Sequence, residues 1–273
     1  MTNLNTLTSS FQASERMPLL FLGHGSPMNA IEDNQFVKGF RLVAATLPKP
    51  QAILCVSAHW NTRGTLVTAM PIPRTIHDFS GFPEELYQVQ YPAKGSPILA
   101  KEVKELLKST EVQLDEKWGL DHGTWSVIKH LYPQADVPVI QLSIDFTKAP
   151  SLHFELAKQL KSLREKGILF VGSGNLIHNL GHVDFANFEK DNLGYDWAIE
   201  AREKLNSWIL NGDNSSLFQY EKQGKALQLA IPTPEHFIPL LYVLGLKDEA
   251  ENIELFNDKL VAGSLSMTSL VVS

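Results

Sequence analysis

The sequence predicts an α/β protein: a single domain whose central sheet, mostly parallel or mixed, is flanked by helices. Three observations carry that expectation. Short apolar runs that read as strands alternate with segments of helical period over most of the 273 residues. No internal repeat or low-complexity linker interrupts the alternation to mark a domain boundary. Four histidines, His24, His59, His178 and His236, each stand at the end of an apolar run. Open α/β sheets gather their sites outside the carboxyl ends of strands, so imidazoles delivered this way can converge on one point.

Taken in order, residues 1–16 are rich in Ser, Thr and Asn and read as a polar tail. They lack the apolar core of a secretory signal and the repeated arginines of a transit peptide, so the domain proper is expected over 17–273. Residues 19–22 form the first strand, and Gly23-His24-Gly25-Ser26-Pro27 is a turn with two glycines. A helix over 34–47 stops at Pro48-Lys49-Pro50. Residues 51–58 read as a buried strand, Asn61-Thr62-Arg63-Gly64 as a turn, and 65–69 as a short strand. The irregular stretch 70–97 is too long and too apolar for a passive linker, and its part 70–83 is expected to wall a site. Helices follow over 98–108 and 121–131, then an alternating strand over 137–144 and an amphipathic helix over 151–166. Residues 168–171 make the next strand, 197–210 a helix, 234–244 a helix or packed apolar loop, and 265–272 an edge strand.

Composition excludes several classes of partner. The formal charge of -6 leaves no basic surface for a nucleic-acid backbone or an anionic membrane. No apolar stretch reaches the roughly 18–20 residues of a membrane span, so a cytoplasmic protein is expected. Cys55 is the one cysteine. Lying inside an apolar run, it reads as a small buried thiol, and its solitude rules out disulfide frameworks and thiolate metal clusters.

The histidines carry the chemistry. His24 lies between two glycines, where little bulk would crowd a ligand, and His59 follows the next strand. His178 comes after Gly172-Ser173-Gly174-Asn175, yet Ile177 stands where a dinucleotide fingerprint needs glycine, and no Lys-Ser/Thr follows. Gly172-Ser173-Gly174 also lacks the spacing of a serine nucleophile elbow. His236 shares Thr233-Pro234-Glu235-His236 with a carboxylate, and spacing admits either Glu235 or His236 as a ligand. His122 opens a helix, as a proton-transfer group or as a residue satisfying the helix terminus; His77 beside Asp78 is a weaker case of the same kind. His130, His153 and His182 read as surface or packing residues. Imidazoles suit zinc, iron, copper or nickel rather than calcium or magnesium, so the residues point to a metal-dependent α/β protein.

Five segments carry a resemblance. Gly23-His24-Gly25-Ser26-Pro27-Met28, Ser57-Ala58-His59-Trp60, Asp121-His122-Gly123-Thr124-Trp125, Gly172-Ser173-Gly174-Asn175-Leu176-Ile177-His178-Asn179 and Pro232-Thr233-Pro234-Glu235-His236 occur in that order. Together they resemble the DOPA 4,5-dioxygenase family of class III extradiol ring-cleavage dioxygenases, over essentially the whole chain apart from the tail. The resemblance implies the α/β fold of a class III catalytic subunit. It also implies a divalent metal held by His24, His59 and His236, with His178 directed at the same metal. Non-haem Fe(II) would serve turnover, Zn(II) could occupy the isolated protein, and His122 and His178 would do acid/base work. The partners implied are a catechol such as DOPA and O2, and the product a muconic semialdehyde. Non-haem Fe(II) oxygenases commonly use two histidines and one carboxylate, whereas the resemblance favours histidine at 236; Glu235 is the adjacent carboxylate that could restore that set. The alternatives are a zinc-dependent hydrolase and a non-enzymatic binding protein on the same fold; five histidines weigh against the second. Arg63 and Arg74 are the arginines that could meet a substrate carboxylate, although solvated side chains are expected at both.

Overall fold

The structure is a computed structural model that describes residues 11–188 and 190–273. Among these, the strands are β1 (Leu19–Gly23), β2 (Ala52–Thr62), β3 (Thr65–Thr68), β4 (Val112–Asp115), β5 (Val139–Asp145), β6 (Ile168–Gly174), β7 (Ile253–Phe256), β8 (Leu260–Val261), β9 (Leu265–Ser266) and β10 (Ser269–Val272). The helices are α1 (Gln35–Ala44), α2 (Glu84–Tyr87), α3 (Pro97–Leu106), α4 (His122–Leu131), α5 (Pro150–Lys158), α6 (Asp196–Asn211), α7 (Asn214–Phe218), α8 (Lys225–Ala230) and α9 (Ile238–Leu246). Eight strands form one mixed sheet in the order β4-β3-β5-β2-β6-β1-β10-β7, while β8 and β9 make a small hairpin. The expected single α/β domain is therefore what the chain forms.

The middle of the sheet is parallel: β6 lies between β1 and β2, and β5 flanks β2. Parallel neighbours need crossovers, and helices between consecutive strands supply them. Because both faces are covered, alternate residues enter different cores. Leu19, Phe21, Leu54 and Val56 pack on one side with α5, α6, α8 and α9. Leu20, Leu22, Ile53 and Cys55 pack on the other with Trp125 of α4 and Phe40 of α1. Burial on both faces explains why these strands read as continuous apolar runs. Helix starts follow local chemistry too: the Asn34 side chain accepts from Phe36 and Val37 N–H at α1, and Asp121 accepts from Thr124 N–H at α4. Cys55 is fully buried, and burial pushes its thiol pKa up, as expected of an inert core cysteine.

Three expectations need correcting. The helix expected over 151–166 ends at Lys158, and Lys161–Lys166 continues as a 3-10 turn closed by Gly167 at φ 68°. Both helix types keep residues three apart on one side, so the apolar period does not reveal the change. The segment 265–272 is two strands, and β10 lies inside the sheet between β1 and β7. Its alternating hydroxyls looked solvent-facing but are buried: the Gly23 N–H donates to Ser269 Oγ at 2.9 Å, and Ser266 Oγ pairs with Thr268 Oγ1. The true edges, β4 and β7, are short and half-exposed, which leaves little pattern to read.

Of the expected polar tail, residues 1–10 lie outside the described residues. Residues 11–16 run along the body, where Ser14 N–H donates to Glu165 O and Arg16 pairs with Asp248. No helix among the described residues is long and apolar enough to cross a membrane.

Candidate metal centre

Adjacent strands of the parallel core deliver the histidines. His24 follows β1 directly, and its N–H donates to Gly174 O at 3.1 Å. Where β6 ends, Asn175 N–H donates to His236 O at 2.9 Å, tying the turn before α9 to the strand terminus. The approach is so close that a Cβ on Gly174 would lie 2.1 Å from His236 O. The sequence placed His59 after its strand, but β2 runs on to Thr62. Its pairing with β5 shifts register between Val56 and Asn61, and His59 sits in that irregularity. Bulges of this kind re-aim side chains beside sites. His122 is the first residue of α4, next to Gly123, whose missing side chain makes room for the His59 ring: a Cβ there would be 2.8 Å from His59 Cδ2.

Five rings thus meet. Ring centroids are 5.0 Å apart for His24 and His59, 5.3 Å for His24 and His236, and 3.8 Å for His59 and His122. His178 stacks on His236 at 3.5 Å with 8° between planes. Ligand atoms of His24, His59 and His122 come within 4.8 Å of one another. That trio has His122 where the sequence resemblance implies His236.

Hydrogen bonding sets which nitrogen faces inward. Ser173 Oγ donates its proton to Gly123 O, so it accepts from Nδ1–H of His24 at 3.0 Å, and the lone pair of His24 is on Nε2. His59 has Nδ1 3.5 Å from Asp78 Oδ2, an ion-pair distance, so its Nε2 also faces inward. The two Nε2 atoms stand 3.2 Å apart, within hydrogen-bond range, so without a metal His59 Nε2–H donates to the His24 lone pair. A cation between the two rings would take the place of that proton. Both ring nitrogens of His236 are buried without a hydrogen-bond partner, and Glu235 Oε1 is only at ion-pair range, 3.5 Å from Nδ1. An unpaired buried polar group costs about 1–3 kcal/mol, so the donor set fits a bound metal.

Electrostatics agree. Burial first, then neighbouring imidazoles, holds the pKa values of His24 and His59 well below the ordinary histidine value. Burial also lowers His236 against the pull of Glu235, and brings His178 down to about 3. These four rings are therefore neutral at physiological pH, with lone pairs available. Asp78 Oδ1 accepts from the His122 backbone N–H at 2.9 Å and lies 3.0 Å from its Nδ1, an ion-pair distance that falls short of hydrogen-bond alignment. Burial alone would raise the Asp78 pKa, but His122 outweighs it and keeps the carboxylate charged.

The rings open into a cavity of about 520 Å³ whose far walls are apolar, including Phe79, Phe82, Phe185 and Phe188. Phe79 and Phe82 come from the long loop expected to wall a site. Arg63 sits over the Phe146 ring and Arg74 Nε donates to Trp118 O, so neither lines the cavity. His77 bonds Val89 O, buried His130 bonds Asn29 O, buried His153 bonds Tyr242, and His182 is exposed. Glu235 bonds Thr233 and is absent from the cavity wall. Sequence reasoning missed Ser173 as a partner of His24 and undervalued Asp78; the adjacency of Asp78 to His77 was the one available signal.

Residues 18–272 match the family described as the catalytic LigB subunit of aromatic ring-opening dioxygenase. The chain belongs to that family. Among relatives of this dioxygenase, a 4,5-DOPA dioxygenase extradiol of Escherichia coli (strain K12) is 48% identical over 265 residues, covering 95% of this chain and 96% of its own. One from Beta vulgaris is 36% identical, covering 91% of this chain and 94% of its own. The crystal structure of an uncharacterized protein from Escherichia coli K12 has TM-score 0.82 and 44% identity, covering 94% of this chain and 100% of that one. The enzyme is a metal-dependent extradiol dioxygenase acting on a small aromatic substrate and O2, and its fold is that of the family.

Proposed function

We propose that this dioxygenase, a cytoplasmic enzyme, opens the ring of a catechol such as DOPA to give a muconic semialdehyde. In this reading His24, His59 and His236 hold a divalent metal, His178 is directed at the same centre, and His122 and His178 move protons. The observation that carries it is the pair of inward-facing Nε2 atoms of His24 and His59, 3.2 Å apart, with the unpartnered His236 ring beside them. When bound, non-haem Fe(II) supplies Lewis acidity toward the catechol oxygens and electrons for O2, whereas redox-inert Zn(II) fits the same imidazoles without supporting turnover.

The chain's own residues do the rest. Asp78 faces Nδ1 of His122, which leaves Nε2 to take a catechol hydroxyl proton and return it later. His178 holds its ring parallel to His236, so proton transfer at its nitrogens occurs against the metal-holding ring. Its lowered pKa makes it a base that accepts a proton only when anionic charge develops nearby. The apolar walls exclude water and seat the aromatic ring.

The test is oxygen uptake and yellow-product absorbance with DOPA and other catechols, on metal-free protein reconstituted anaerobically with Fe(II) or with Zn(II). Turnover with Fe(II) alone is expected. No uptake with any catechol at stoichiometric Fe(II) would overturn the reading.

A further inference from the structure

Beside the histidine cavity lies a smaller recess of about 180 Å³. The two share Gly25, Ser26, Glu32, Phe188 and Leu265 as common wall. Their chemistry differs. Among the described residues, no Lys or Arg lines the histidine cavity, so a substrate carboxylate finds no cation there. The recess is the more polar of the two, with Asn29, Asn34, Gln35, Lys190 and Asp191 in its lining alongside Glu32.

Most of those groups are already committed. Asp191 takes Lys259 Nζ at 2.8 and 2.9 Å and Gln35 Nε2 at 2.8 Å, and Gln35 Oε1 takes Lys259 Nζ as well. Asn29 spends its amide on His24 O and its Oδ1 on Asn34 Nδ2. Glu32 accepts from Asn34 Nδ2 at 3.1 Å and has no ion-pair partner among the described residues. The Lys190 ammonium has neither an ion pair nor a hydrogen bond among them. One carboxylate and one ammonium, neither ion-paired among the described residues, therefore share a recess that opens beside the ring site. Gly25 keeps the shared wall thin: its φ is +58°, and a Cβ there would strike Met267 Sδ at 2.4 Å.

We propose that this recess receives the α-amino-acid head of a catechol amino acid, with Glu32 meeting the ammonium and Lys190 the carboxylate. The proposal rests on the ring-opening reading above, which places the catechol among the histidines. An anion and a cation lining one recess complement a zwitterion and match neither a simple carboxylate nor a simple amine as well. Both side chains are exposed, so solvent screening keeps each contact modest.

The experiment compares Lys190→Met and Glu32→Gln with the parent protein, all Fe(II)-loaded, on four probes: DOPA, dopamine, 3-(3,4-dihydroxyphenyl)propionate and 4-methylcatechol. Lys190→Met is expected to raise KM about three- to tenfold for DOPA and the propionate, leaving dopamine and 4-methylcatechol as internal controls. Glu32→Gln is expected to raise KM similarly for DOPA and dopamine only. Shifts that are equal on all four probes, or absent from all, overturn the assignment. Anaerobic calorimetry on Zn(II)-loaded protein reads the same four ligands without turnover. Binding in the expected pattern without ring opening would keep the recess and remove the ring-opening reading; a flat set of affinities with intact ring opening would do the reverse.

Discussion

Nε2 of His24 stands 3.2 Å from Nε2 of His59, with Ser173 on the outer nitrogen of one ring and Asp78 facing the outer nitrogen of the other. The arrangement joins the residue that follows β1 to one within β2, strands separated in the sheet by β6. Folding thus brings together two nitrogens that are bridged by one proton or by a cation, beside a His236 ring without a hydrogen-bond partner.

Metal should therefore stabilise the fold. Adding Zn(II) to metal-free protein at about a hundredfold excess over Kd is expected to contribute roughly 2.7 kcal/mol, seen as a rise of several degrees in Tm. His24→Ala and His236→Ala should each abolish most of that shift. A shift that survived in both variants would remove those residues from the site.

Ser173→Ala deletes the acceptor that holds His24 in one tautomer while leaving the ring in place. Changes of this kind commonly cost about 10–100-fold in metal affinity. Competition with a chromophoric chelator measures it, and an affinity equal to that of the parent would separate Ser173 from the metal.

For His122→Ala and His178→Ala, proton transfer is the expected loss. Turnover with a catechol should fall about 10²–10⁴-fold, and His122→Ala should keep its bound metal. Full activity in both variants would show the assignment to be wrong; loss of metal from His122→Ala would instead put that residue among the ligands, in line with the close trio it forms with His24 and His59.

Acid should destabilise the metal-free protein. His24, His59, His178 and His236 all have folded-state pKa values lowered by burial, so below the unfolded value of about 6.5 the unfolded chain binds more protons than the fold does. The stability present above that pH is lost progressively as pH falls, by up to about 1.4 kcal/mol per unit for each such group, and for His178 the window extends down to about 3. Chemical denaturation at pH 7 and pH 5 measures the difference. Equal stability at the two values would mean that the rings titrate in the fold as they do in the unfolded chain.

What was legible in the sequence follows from how local the signal is. His24, His59, His178 and His236 were readable because each follows an apolar run, although only His24 and His178 lie past the end of a parallel strand; His59 sits within β2, and the run before His236 is the end of helix α8. Ser173 and Asp78 were not, because their partners lie 149 and 44 residues away, and apart from His77 beside Asp78 nothing in either neighbourhood announces the contact. Parallel strands buried on both faces gave strong signals, whereas β4 and β7, half-wet at the sheet edges, gave almost none. The chain past Lys158 was misread because helical period survives the tightening to a 3-10 turn. The interior place of β10 was hidden by the hydroxyls of Ser266, Thr268 and Ser269, which lead into it and which pattern reading assigns to water.

Asn175 N–H reaches His236 O, and His178 N–H reaches Ala230 O, each at 2.9 Å. The intervening stretch, with α6, α7 and α8, therefore departs from and returns to nearly the same spot, like an excursion pinned at its neck. Insertions, deletions or grafted sequence in the far part of that excursion, such as the connection from α6 to α7, would leave the neck and its histidines in register. Diversification there is a route to altered surface properties or fused modules that does not retune the chemistry below.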